Sequence, residues 1–152
     1  MKNLRQRIDK WVSTFLIIIL SIMVVNVLWQ VFTRFFTASP SSFTEELARY
    51  LMIWLGILGG AYVAGKNEHV AITVFTKKQK PKRQQQIQIF VRLTIVAFAF
   101  VGMVIGGCRL VFITFILNQY SPALGIPLAA VYAVIPISGL LIMFYKLFPT
   151  NA

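Results

Sequence analysis

The stretch FTEELARYLMIWLGILGGAYVAGKNEHV, Phe43 to Val70, holds three of the four acidic residues in a chain of 152; the fourth is Asp9. Between Arg49 and Lys66 it runs for 16 residues without a charge. A run of that length, with charge gathered at both ends, reads as a helix that crosses a bilayer. A charged side chain at mid-membrane costs about 2.5–3.5 kcal/mol on insertion scales, so ionic groups collect where such a helix leaves lipid. Ser42 and Glu45 stand at capping-box spacing, and Glu45 and Glu46 lie where a helix N-terminus favours negative charge. Gly65 and Lys66 supply a stop.

The flanking sequence repeats this pattern. The chain is 58% hydrophobic and only 12% charged, with a mean hydropathy of +0.76, which excludes an ordinary soluble domain. With the span at about 43–65, the other apolar runs lie at about 11–35, 88–118 and 127–148. The fold class expected is an all-α integral membrane protein with four transmembrane helices in a single membrane domain, 1–152. The first run follows a basic segment, as in a signal peptide, but no small-x-small cleavage site follows it, so it reads as a retained span. About 30 residues in the third run exceed a perpendicular crossing and predict tilt. Pro127 suits a first helical turn, and Pro136 with Ser138 and Gly139 predicts a kink in the fourth. TASPSSF and NQYSPALGIP read as turns. In the basic loop 66–87, VAITVFT (Val70–Thr76) is too short to cross and reads as a short amphipathic interfacial segment.

The net charge of +11 is distributed by topology. Lys2, Arg5, Arg7 and Lys10 precede the first span, six basic residues from Lys66 to Arg83 lie between the second and third, and Lys146 lies near the C-terminus. The other two connections carry no Lys or Arg between Thr37 and Thr44 or between Asn118 and Pro127. The positive-inside rule then predicts both termini in the cytoplasm. Basic residues placed this way suit phospholipid headgroups and not nucleic acid. One cysteine and one histidine exclude an intrachain disulfide, a structural zinc site and a bis-histidine haem. No cofactor is expected, and Cys108 reads as a small buried hydrophobe.

Polar residues inside the spans are the candidate functional positions. Asn26, Gln30 and Arg34 fall at i, i+4 and i+8 on one helix face. Either this stripe packs against protein, or Asn26 and Gln30 satisfy each other while Arg34 reaches the interface. Arg49 is spaced to pair with Glu45 or Glu46, and a short turn brings it near Arg34. The expectation is a network of Arg34, Gln30, Glu46 and Arg49 at the outer face. The alternative is an ordinary solvated helix start. Gly56, Gly60 and Ala64 recur every four residues, as do Gly102 and Gly106, and predict close helix approach. Arg109 lies about nine residues inside the third span and either reaches headgroups or bonds a group on another subunit. Glu68 beside His69 reads as a loop-anchoring cluster in preference to a proton relay.

There is no nucleophile elbow, phosphate loop, metal-ligand cluster or paired carboxylate, so an enzyme is not expected. A self-contained carrier would want internal repeats or a mid-membrane acid, and neither is present. That argues against the runner-up, a small homo-oligomeric four-helix exporter of the multidrug type. The residues supply faces for packing, as in an accessory subunit.

The segments LWQVFTRFF, SSFTEELARYLMIWLGILGGAYVAGKNEHVAI and SPALGIPLAAVYAVIPISG resemble the small membrane subunit (DctQ-like, Q subunit) of tripartite ATP-independent periplasmic (TRAP) transporters. The resemblance runs from about Trp11 to Phe144. It implies a four-helix scaffold subunit in a bacterial inner membrane, paired with a large membrane subunit on a separate polypeptide. That large subunit would carry the substrate and sodium sites and move its transport domain elevator fashion. A soluble periplasmic substrate-binding protein would deliver organic acids, dicarboxylates or sialic acids among them. The resemblance marks Gln30, Arg34, Glu45, Glu46, Arg49, Glu68 and His69 as interface or fold-fixing candidates; Asn26, Gly56, Gly60 and Arg109 join them from the residue reading alone.

Overall fold

Each apolar run becomes a helix, because in lipid every backbone N–H and C=O must find its partner within the segment. The computed structural model describes residues 2–37, 41–66 and 81–148. They form α1 (Lys2–Thr37), α2 (Ser42–Lys66), α3 (Pro81–Phe98), a π-helical segment (Ala99–Ile105), α4 (Gly106–Ile116), α5 (Leu128–Tyr132) and α6 (Val134–Leu147). No strand occurs among them. Four stretches are long and apolar enough to cross a membrane: Asn3–Phe36, Ser42–Lys66, Arg83–Ile116 and Leu128–Leu147. The third comprises α3, the π segment and α4 in one continuous helix.

Helix ends differ from the limits of the apolar runs. α1 begins at Lys2, about nine residues before its apolar run, and α3 begins at Pro81, about seven before. Hydropathy marks where lipid contact starts. Hydrogen bonding continues through Arg, Gln and Lys, which are good helix formers, and Pro81 occupies a first position where its missing N–H costs nothing. At about 1.5 Å per residue, the 36 residues of α1 extend over roughly 54 Å, more than a hydrocarbon core of about 30 Å.

The capping box is not formed. The Ser41 carbonyl accepts the amides of Thr44 (3.1 Å) and Glu45 (3.2 Å), so the cap falls one residue earlier. The fourth span breaks at Ala133, between α5 and α6. The cause is Pro136, which offers no N–H to Tyr132 and crowds its carbonyl; the bond from Ile137 N to Ala133 O is stretched to 3.4 Å. Pro127 lies just outside α5 in an extended conformation, not within the first turn.

The spans stand in a row. α1 packs on α2, α2 on α6, and α6 on the π segment and α4, giving the spatial order first, second, fourth, third. Among the described residues the first and third spans do not pack together, so the row does not close into a bundle. The fourth span has 33% of its most apolar stretch buried inside the chain, against 11%, 11% and 6% for the first three. Its Val134, Ser138 and Tyr145 are the largest fully buried side chains. Glycines set this contact. A Cβ at Gly139 would lie 2.8 Å from Met103 Cβ and 3.1 Å from the Ala99 carbonyl; one at Gly107 would lie 2.8 Å from Pro136 Cδ. The fourth span thus comes equally close to the π segment and to the first turn of α4.

Candidate functional site

The polar side chains sort into two clusters, one at each end of the row. At one end, α4 stops in a Schellman arrangement. Asn118 takes a left-handed φ of 47°, its amide bonds the Phe115 carbonyl, and Gln119 N bonds the Thr114 carbonyl. The chain then turns back through Gly125 at φ 65°, with Ser121 N bonded to Ile126 O and Leu128 N to Gln119 O. Glu46 of α2 holds this turn from the side. Its Oε2 accepts the amides of Ala123 (2.8 Å) and Leu124 (3.2 Å), and its Oε1 accepts the Tyr50 hydroxyl (2.7 Å). A carboxylate that takes charge-assisted bonds from a loop 77 residues away is a fixing point of the tertiary structure.

The expected network of Arg34, Gln30, Glu46 and Arg49 is thus divided. Arg49 pairs with Glu45 at 3.3 Å, in the open, where such a pair contributes a few tenths of a kcal/mol. Asn26 is buried and its Nδ2 donates to the Thr44 carbonyl at 2.8 Å, tying α1 to the first turn of α2. Gln30 is half-buried and Arg34 is exposed, and among the described residues neither bonds Glu46 or Arg49. The geometric reason is that the turn at Ser121 reaches the Glu46 carboxylate first.

The cluster at the other end was not singled out in the sequence. Arg5 donates through Nη2 to the Gly65 carbonyl (2.8 Å) and through Nη1 to the Phe148 carbonyl (2.6 Å), capping the C-termini of α2 and α6 with one guanidinium. It lies over the Tyr145 ring at 5.3 Å, and the Tyr145 hydroxyl donates to Asp9 Oδ1 at 2.6 Å. A Cβ at Gly65 would fall 2.5 Å from the Tyr145 ring, so glycine is needed there. The available signal was Asp9, an isolated acid four residues after Arg5 in a basic segment. Arg5→Ala is expected to cost about 1–2 kcal/mol through loss of charged caps on two carbonyl ends, read as a lower thermal midpoint of the detergent-solubilised chain. Glu68, His69 and the segment Val70–Thr76 lie outside the described residues.

Between the two ends the row is open. Gly56 and Gly60, expected to pack, are exposed, and a Cβ at either meets nothing within 4 Å. They share an uncovered face of α2 with Met52 and Val63. Gly102 meets only the ring of Phe98 on its own helix. The close-packed glycines are Gly65, Gly107 and Gly139, which have no four-residue spacing because their partners sit on other helices. Cys108 is exposed, not buried, beside a groove of about 430 Å³ shared with Phe112 and Pro136. A second groove, about 590 Å³, runs beside Trp29, Asn26 and Phe43. Arg109 is exposed on the side of α4 away from Gly107.

Residues 23–147 match the family described as tripartite ATP-independent periplasmic transporters, DctQ component. The chain belongs to that family. It is 31% identical over 142 residues to a Haemophilus influenzae protein inferred to be a TRAP transporter small permease protein, covering 93% of this chain and 86% of that one. It is 28% identical over 105 residues to the sialic acid TRAP transporter small permease protein SiaQ of Vibrio cholerae, covering 69% of this chain and 60% of that one. The sialic acid TRAP transporter permease protein SiaT of H. influenzae matches 91% of this chain at 28% identity, within 21% of its own length. In SiaT, therefore, the DctQ-like part is joined to a much longer permease. The chain is a small permease subunit of a TRAP transporter, a multi-pass inner-membrane protein whose family implies a large membrane partner. That placement does not favour the multidrug-type exporter.

Proposed function

We propose that this small subunit widens and fixes the stationary part of a sodium-coupled TRAP transporter for organic acids, of the dicarboxylate or sialic-acid type. A large subunit carries the substrate and sodium, and a periplasmic substrate-binding protein delivers the substrate. The observation that carries this reading is the row of helices, which uses its carboxylates at its own two ends and leaves its broad faces uncovered. A carrier encloses its cargo, and a scaffold offers surface. Long spans, glycine contacts between the third and fourth, and capped ends favour a unit that holds its shape.

Orientation follows from charge. Lys2, Arg5, Arg7, Lys10, Lys66 and Lys146 belong to the Arg5 end, so the positive-inside rule sets that end in the cytoplasm. The turn held by Glu46 then faces the periplasm, where the binding protein arrives.

The test is reconstitution. Vesicles holding this chain and its large subunit, given the binding protein and an inward sodium gradient, are expected to accumulate labelled sialic acid or a dicarboxylate, and omission of any component to abolish uptake. Gradient-driven transport by this chain alone would overturn the reading. In cells expressing the complex with Cys108→Ser, an Ala123→Cys variant should react with an impermeant maleimide added from outside; labelling only after permeabilisation would reverse the orientation.

A further inference from the structure

We infer that the outer face of the third span, centred on Arg109, is where a helix of the large membrane subunit docks and presents a carboxylate. The inference rests on the small-subunit reading above and adds to it a surface and a chemistry.

Arg109 is a permanent cation within a membrane span, exposed on its own chain, and among the described residues no hydrogen bond or ion pair reaches it. Among the described residues no carboxylate is left to give it. Asp9 accepts the Tyr145 hydroxyl, Glu45 pairs with Arg49, and Glu46 holds the turn at Ala123. The fourth acid, Glu68, comes two residues after Lys66 in the sequence. The helix from Arg83 to Arg109 alone measures roughly 39 Å. Among the described residues Arg109 therefore has no acceptor, and a second protein can supply one.

Depth and direction favour a protein acceptor over a lipid phosphate. Gly107 faces Ile135 and Pro136, so Arg109 comes level with about Ala133. That is some five residues, or about 8 Å, inside the start of the fourth span at Leu128. A helical Cα–Cβ bond tilts toward the N-terminus of its helix. For Arg109 that direction is the membrane interior, so reaching the nearer headgroups means bending back against the tilt. The opposite interface is much further away. A carboxylate presented sideways, on a neighbouring helix, meets the guanidinium without that bend.

The surroundings suit a helix. On the same face, a Cβ at Gly106 would meet only the Val101 carbonyl, at 3.7 Å, leaving room for close approach. Ile113, one turn beyond Arg109, is exposed. The third span forms one end of the row, and among the described residues no other helix covers this face. SiaT, with the equivalent region inside a much longer permease, shows that such a partner accompanies the fold.

The experiment is co-purification of the complex of this chain with its large subunit, with a photo-crosslinking residue at Ile113 as a second arm. Arg109→Ala is expected to weaken association about thirtyfold or more, and Arg109→Lys by much less. The crosslinker, placed in a chain that keeps Arg109, should trap the large subunit. The thermal midpoint of the isolated subunit should move little with Arg109→Ala, since the side chain is exposed and holds no hydrogen bond or ion pair among the described residues. If unmodified and Arg109→Ala chains recover the large subunit equally and the crosslinker captures only phospholipid, the docking inference is overturned and the small-subunit reading stands. If even the unmodified chain recovers no large subunit, the functional reading fails and this one with it.

Discussion

Gly139→Leu is expected to destabilise the isolated subunit by about 3 kcal/mol or more, whereas Gly60→Leu changes it by less than about 1 kcal/mol. Both are glycines in the middle of spans, and the sequence gives the repeated Gly56–Gly60 spacing the stronger claim to packing. The geometry reverses that order. A side chain at Gly139 enters at 2.8 Å from Met103 Cβ, 3.0 Å from Val104 and 3.1 Å from the Ala99 carbonyl. Two of those are fixed to the backbone of the π segment and have nowhere to go, so the fourth span must lift off the third. Overpacking of that kind costs about 1–3 kcal/mol for a few methylenes and more when backbone must move. At Gly60 there is open space, and the helix-propensity gain of leucine over glycine, about 0.5–1 kcal/mol, works the other way. Thermal unfolding of both variants in the same detergent, followed by circular dichroism, decides between them. Equal losses would mean that the row is not held by its third and fourth spans.

The second large effect is local. Glu46→Ala removes the acceptor for the amides of Ala123 and Leu124 and for the Tyr50 hydroxyl. Bonds to a charged group contribute about 1.5–3 kcal/mol, so the turn from Ser121 to Gly125 should open about ten- to a hundredfold more often. Amide hydrogen exchange at Ala123 and Leu124 reads this directly, while exchange in α6 stays unchanged. Arg49→Ala is the matched comparison: it sits three residues along the same helix, in an exposed pair, and should leave both amides protected. Equal acceleration by the two variants would show that Glu46 and Arg49 act as one unit after all.

These contrasts mark what the sequence made legible. The number of spans, the all-helical class, the turn at NQYSPALGIP and the family were all in the residues, because lipid imposes a long-range pattern that survives in one dimension. Pro136 announced the kink, displaced by three residues because the clash falls on the preceding turn. Two kinds of information were missing. Helix ends continue past the apolar runs, since hydropathy senses the solvent and hydrogen bonding does not. Which glycine or carboxylate finds which partner depends on the order of the helices in space. Once the fourth span lies between the second and third, Gly107 and Gly139 face each other's helices, Gly56 faces away, and Glu46 meets a turn 77 residues along the chain. The role of Arg5 is hidden in one dimension for the same reason: its partners, Gly65 and Phe148, are carbonyls at two remote helix ends.

The side-by-side order of the four spans also has a mechanical consequence. Neighbouring helices at about 8–10 Å centre to centre give a plate up to roughly 35 Å across, against about 20 Å for the same helices in a square bundle. A load applied at one edge, normal to the bilayer, acts on this plate through nearly twice the lever arm. Tipping it must submerge or lift the far edge, and each ångström of such mismatch costs a fraction of a kcal/mol. The shape that leaves the chain poorly buried on its own is therefore the one that best resists being rocked.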